Sequence, residues 1–257
     1  MSFLDDLLTS TRARVAAARR AVSAAAIQER AAAAGPARGL RAALAGPAIS
    51  LVAEIKRATP SLGDIAAGLD AGSTAHAYAR GGASALSVLT EPEFFKGSLE
   101  DLHRAASAGL PVLRKDFVVD PYQVFEARAA GADAVLVIVR IAPGRLLDEL
   151  FAAARLLRMD VLAEVYDEND LDRAVDAGAR LIGINHRDLA TFEVDRGRTA
   201  KLAPMVPPGV PVVAFSGVST RAEVVAMADA GASAVLVGES LVRAADPEAK
   251  VRELLGR

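Results

Sequence analysis

Glu54 and Lys56 stand two residues apart at the end of the apolar run SLVAEIK, and Lys115 with Asp116 ends a second run, PVLRKDF. Glu164 interrupts VLAEV, Asn185 and Arg187 follow LIGI, and two small-residue turns, Phe215-Ser216-Gly217 and Gly238-Glu239-Ser240, close the runs from Val210 and Ala234. Residues two apart on a strand share a face, so Glu54 and Lys56 are expected to project together. The chain has five lysines among its 30 basic residues, and Lys56 and Lys115 are two of the five. Where positive charge alone is needed this sequence uses Arg. A primary amine differs because burial can bring it to give or take a proton, whereas guanidinium stays charged. Lys115 is therefore read as a proton-transfer group, with Glu164 as the opposite member of an acid and base couple. Glycines at the two turns let backbone N–H groups approach an anion closely. One such turn alone is more often just a turn; the pair points to a phosphorylated small molecule.

The elements that must carry these residues repeat. GGASALSVLT, AGADAVLVIV, AGARLIGIN and AGASAVLVGE resemble one another, with glycines at 82, 131, 178 and 231. Each begins with a Gly-Ala that can end a helix and runs into a stretch of strand length. Four further apolar runs, at 50–56, 111–117, 161–165 and 210–217, interleave with them to give eight strands. Amphipathic stretches such as DPYQVFEARAAG and TRAEVVAMADAG lie between, so the expected fold class is α/β, a (β/α)8 TIM barrel. A doubly wound open sheet is the alternative, although it rarely needs eight evenly spaced units. Chemistry in such barrels sits at the carboxyl ends of the strands, where the polar residues above fall, and the loops after strands seven and eight recurrently bind phosphate. Layered salt bridges inside a barrel are the structural alternative for any one of these residues. Residues 1–48 stand outside the repeat and read as two or three helices, broken near AAGPARG, packed on one barrel domain spanning 1–257.

Composition sets limits on partners. A net charge of -2 with no basic tail gives no field for nucleic acid or an anionic membrane, and no apolar stretch reaches the roughly 20 residues of a membrane helix. The first twenty residues have helical spacing with mixed charge, unlike a signal peptide. With no cysteine, there are neither disulfides nor thiolate sites, in keeping with a cytoplasmic location. His76, His103 and His186 share no short ligand spacing, so no metal is expected. Nothing resembles an exposed apolar interface stripe, and a monomer is expected.

With these residues placed, AEIKRATPS, LTEPEFFKGS, PVLRKDFVVDPYQ, INHRDLATFEVD and VLVGESLVR resemble, in order, the motifs of indole-3-glycerol phosphate synthases. The resemblance covers nearly the whole chain, helical extension included. It implies conversion of 1-(2-carboxyphenylamino)-1-deoxyribulose 5-phosphate into indole-3-glycerol phosphate, carbon dioxide and water in tryptophan biosynthesis, without metal or organic cofactor. By the same resemblance Lys115 is the general acid of ring closure and Glu164 the base of the later dehydration. Lys56 lies near the substrate carboxylate and phosphate and shares proton transfer, while Glu54 and Asn185 orient hydroxyls and developing charge. Arg187 and Ser61 grip the anthranilate carboxylate. Gly217, Gly238 and Glu239 hold the phosphate through backbone N–H groups, with Ser216 at the same rim. Phe94 and Phe95 form part of the apolar wall, or else simply pack their loop.

One position departs from the family pattern. Where the family usually has Glu-Ser-Gly after strand seven, this chain has Phe215-Ser216-Gly217. The ring removes a negative charge and an acceptor, and a substrate hydroxyl left without its partner typically costs about 1–3 kcal/mol. Weakened turnover is the expectation. A pocket retuned for a related phosphorylated amino sugar, or a phosphate-binding barrel without catalysis, are the alternatives; retention of both Lys115 and Glu164 argues against the latter. Thr59, where Ser is more usual, and Leu62 are lesser departures.

Overall fold

The computed structural model describes residues 3–188 and 191–257. Eight parallel strands close into a barrel: β1 (Ser50–Ile55), β2 (Ala85–Leu89), β3 (Val112–Lys115), β4 (Ala134–Ile138), β5 (Asp160–Val165), β6 (Ile182–Asn185), β7 (Val212–Phe215) and β8 (Ala234–Val237). Each pairs with its sequence neighbours, and β1 pairs with both β2 and β8 to complete the ring. The open sheet is thereby ruled out. A two-stranded hairpin, 58–59 with 63–64, stands on the loop after β1.

The four repeated glycines behave as the pattern requires. Gly82, Gly131, Gly178 and Gly231 all have left-handed φ, 96°, 98°, 84° and 97°, at the ends of helices Ala71–Gly81, Pro121–Ala129, Glu168–Asp176 and Arg221–Asp229. A side chain disfavours that conformation, so the helix stops there and the chain turns into the next strand. At their other ends Asp70, Asp120, Asp167 and Thr220 accept a backbone N–H with their side chains and fix where each helix starts.

Strand alternation divides the core in two. Outward residues such as Leu51, Ala53, Val135, Val137, Ile182 and Ile184 are buried under the helices. Inward, the odd strands carry Val52, Leu113, Leu162 and Val213, all at most 1% exposed and clustered with Leu136 and Leu236 from even strands. Two residues further along each odd strand stand Glu54, Lys115, Glu164 and Phe215. The period of two thus lifts these four side chains from a packed apolar layer into one layer at the mouth.

The extension is three helices, α1 (Phe3–Ala21), α2 (Ala24–Ala33) and α3 (Leu40–Ala43), with the expected break at 34–39. Its packing runs the height of the barrel. Helix α2 lies on helix 121–129. At the amino end, the Arg41 N–H donates to Asp160 at the start of β5 (2.8 Å), and Leu40 and Leu44 are buried with the barrel interior. At the carboxyl end, Arg14 of α1 makes two bonds, 2.9 and 3.0 Å, to the buried Asp116 just after β3.

Candidate active site

The carboxyl ends of the strands surround a cavity of about 530 Å³. It is lined by Glu54, Lys56, Ser61, Phe95, Lys115, Glu164, Asn185, Arg187, Phe215, Ser216, Gly217, Gly238 and Glu239, so thirteen of the fourteen residues singled out by sequence meet there. Phe94 is the exception. Its ring packs edge-on against Phe3 at 5.0 Å, and Phe3 from α1 is the one that reaches the cavity.

On β1, Glu54 and Lys56 face the same way and form an ion pair of 2.7 Å. Burial pulls the Glu54 carboxyl upward, but the ammonium charges of Lys56 and Lys115 outweigh it, and the group is held below the usual carboxylate range. Gly238 makes room for this pair, since a Cβ there would collide with the Glu54 carboxylate and lie 3.1 Å from its Cβ. Across the mouth, Glu164 Oε1 accepts from the Asn185 amide at 2.9 Å and from the Tyr166 hydroxyl. Glu164 Oε2 is buried with no hydrogen-bond partner among the described residues. A buried carboxylate oxygen left over after its twin is satisfied is a feature that needs an explanation.

Asn185 links this centre to the seventh strand. Its Oδ1 accepts from the Ser216 hydroxyl at 2.8 Å and from the Arg187 N–H at 3.0 Å. Ser216 and Gly217 both have left-handed φ, 72° and 78°. For Ser that is a strained conformation, and it persists because neighbours hold it: the carbonyl of Ser216 bonds to His186 Nδ1 at 2.8 Å, and His186 Nε2 meets the Thr199 hydroxyl at 2.7 Å. Burial, foremost, holds the His186 ring below its ordinary pKa and keeps it neutral near pH 7. The Arg187 guanidinium donates to the Phe192 carbonyl at 2.9 Å while lining the cavity. Ser61 is exposed on the 58–64 hairpin, 3.5 Å from the Thr59 hydroxyl.

Phe215 turns inward. It is 1% exposed, and a Cβ on Gly183 of β6 would lie 2.7 Å from its Cε1, so the ring occupies the space above that glycine. The Lys115 ammonium lies 5.8 Å from the ring centroid.

Several groups at the site escape a reading by sequence. Tyr166 bonds Glu164 from behind; burial first, then the Glu164 charge, pushes its hydroxyl well above the ordinary tyrosine pKa, so it stays a donor. Its place two residues after Glu164 was the available signal. Arg196 and Arg243 line the end of the cavity that holds Gly217 and Gly238, ion-paired to Glu223 (3.0 Å) and Glu239 (3.3 Å). In a chain this rich in Arg, nothing local distinguishes Arg196; Arg243 is marked only by its i,i+4 spacing from Glu239. Ser240, in the same lining, has a buried hydroxyl without a partner among the described residues. Among those residues no group of three or more His, Asp or Glu side chains is arranged to hold a metal ion.

The arrangement joins an amine, a carboxylate with a free oxygen, an aromatic wall and a cationic rim. It can donate a proton at one side of a bound molecule, accept one at the other, and hold an anionic tail between glycine turns. The model of the family described as indole-3-glycerol phosphate synthase matches residues 4–254. Proteins named indole-3-glycerol phosphate synthase from Mycobacterium avium and Mycobacterium tuberculosis H37Rv are each 48% identical over 253 residues, covering 98% of this chain and 93% of theirs. Among solved structures, a 3-hexulose-6-phosphate synthase superposes with a TM-score of 0.64 at 19% identity, over 81% of this chain and 99% of that one, a likeness of fold.

Proposed function

The chain belongs to the indole-3-glycerol phosphate synthase family, and on that premise we propose how its residues close the indole ring. The enzyme is a carboxy-lyase acting on a small phosphorylated substrate, 1-(2-carboxyphenylamino)-1-deoxyribulose 5-phosphate. Neither alternative, a retuned sugar specificity or a silent barrel, draws support from that membership. The observation that carries the reading is the convergence of Lys115 and Glu164 on one cavity whose far end holds the glycine turns of β7 and β8.

In the first step the ring carbon bearing the carboxylate attacks the ribulose carbonyl carbon, and Lys115 gives a proton to the carbonyl oxygen. Carbon dioxide then leaves and the ring regains aromaticity. In the second step the new hydroxyl departs as water, with a proton supplied from the Lys56 side, while Glu164 Oε2 takes the proton lost from the substrate; the products are indole-3-glycerol phosphate, carbon dioxide and water. Tyr166 and Asn185 satisfy Glu164 Oε1 and leave Oε2 for this work. Arg187 and Ser61 take the carboxylate, Phe95 lies against the anthranilate ring with Phe94 supporting Phe3 behind it, and Glu54 orients Lys56. The phosphate rests on the N–H groups of Gly217, Gly238 and Glu239 beside Ser216, with Arg196 and Arg243 nearby.

The test is incubation of purified protein with this substrate while indole fluorescence is followed; the absence of product at high enzyme concentration overturns the reading. Restoring an acceptor with Phe215→Glu is expected to lower KM, and an unchanged KM would mean that substrate hydroxyls do not reach β7. We read the whole chain as one domain acting as a cytoplasmic monomer; sedimentation of the purified protein as a dimer would correct the last point.

A further inference from the structure

The two cavity lysines are held differently. Lys56 pairs with Glu54 at 2.7 Å, whereas among the described residues no hydrogen bond or ion pair reaches the Lys115 ammonium, whose contact is the Phe215 ring at 5.8 Å. That ring is itself fixed. Phe215 is the last residue of β7, in register with Asn185 on one side and Leu236 on the other, and its edge fills the space above Gly183. Of the charged groups around the cavity, Glu54 on β1 feels the Lys115 charge but gives its hydrogen bond to Lys56, Asp116 is tied to Arg14 and Arg114, and Glu164 on β5, Arg187 after β6 and Glu239 after β8 make no ion pair with Lys115.

We propose that Phe215 is the positioning residue of Lys115: the face of its ring, in place of a carboxylate, holds the ammonium over the cavity. This rests on the reading of Lys115 as the proton donor. A carboxylate at the end of β7 would accept a hydrogen bond from the amine and direct one N–H away from the substrate. A π face attracts the cation through its quadrupole yet takes no proton and fixes no N–H direction. All three donors of the ammonium then stay available to the substrate carbonyl.

With only five lysines in the chain, labelling with [13Cε]lysine lets the Lys115 side chain be followed by NMR, its signal identified by loss in Lys115→Arg. Held over the ring face, its ε-methylene protons are expected upfield of those of the other lysines. Phe215→Leu and Phe215→Met, which remove the π face, are expected to return that signal to the common position and to lower kcat several-fold with KM changed less, while Phe215→Tyr keeps the wild-type shift. A Lys115 signal unmoved in either the Leu or the Met variant, or moved equally by Tyr, overturns the proposal. The acid reading is judged separately: Lys115→Ala with turnover within about tenfold of wild type overturns that reading while the NMR shifts still report on the ring.

Discussion

Glu164 Oε2 is the atom on which the proposed dehydration turns, because Oε1 is already occupied by Tyr166 and Asn185. Glu164→Gln keeps the shape and both neighbours but accepts no proton, and kcat is expected to fall about 10²–10⁴-fold with KM changed far less, as read by indole fluorescence. His186 acts at a distance from the chemistry, by clamping the Ser216 carbonyl. Burial lowers its pKa in the folded protein from the ordinary 6.5, so below about pH 6.5 the unfolded chain binds a proton that the native state refuses. Its contribution therefore holds above that pH and is lost as pH falls toward the folded-state value. Thermal melts between pH 7.5 and 5 are expected to show a shallower loss of stability in His186→Gln than in wild type.

The extension and the third strand meet at one buried charge. Asp116 accepts from Arg14 of α1, from Arg114 at 2.9 Å and from the Thr90 hydroxyl at 2.7 Å. Burial opposes its ionisation, but these guanidinium groups outweigh it and hold the carboxyl far below the usual range. The pairing joins α1 to the residue next to Lys115, so the extension braces the strand end that carries Lys115 as well as covering the barrel. Arg114 is itself 0% exposed, and Asp116→Asn would remove its charge partner while Glu126 remains 2.8 Å away. A destabilisation of about 3 kcal/mol is expected in urea unfolding, the usual cost of breaking a buried pair from one side. Loss of much less than 1 kcal/mol would mean that Glu126 suffices for Arg114.

At the scale of the molecule, a net charge of -2 accompanies a cavity whose acids, Glu54, Asp116, Glu164 and Glu239, are slightly outnumbered by Lys56, Lys115, Arg187, Arg196 and Arg243. An anionic substrate is drawn by that local field, and salt screens it over about 10 Å at 0.1 M. Raising NaCl from about 0.05 to about 0.5 M is expected to increase KM several-fold and leave kcat nearly unchanged. An invariant KM would assign the binding energy to the aromatic wall and the backbone N–H groups. The described residues contain no helix long and apolar enough to cross a membrane.

The repeat of glycines and apolar runs was enough to read the barrel and to put Glu54, Lys115, Glu164 and Phe215 at strand ends, because helix termination and strand alternation are local and leave their period in the residues. The same alternation predicted the Glu54–Lys56 pair. Contacts between segments far apart in sequence carry no such period. Only the folded chain brings Phe3 of the extension to the cavity and leaves Phe94 behind it, joins Arg14 to Asp116, sets Arg196 beside Gly217, and lays the Phe215 ring against the Lys115 ammonium. These depend on how the ring of strands closes and how the loops settle over it, and packing in three dimensions decides that.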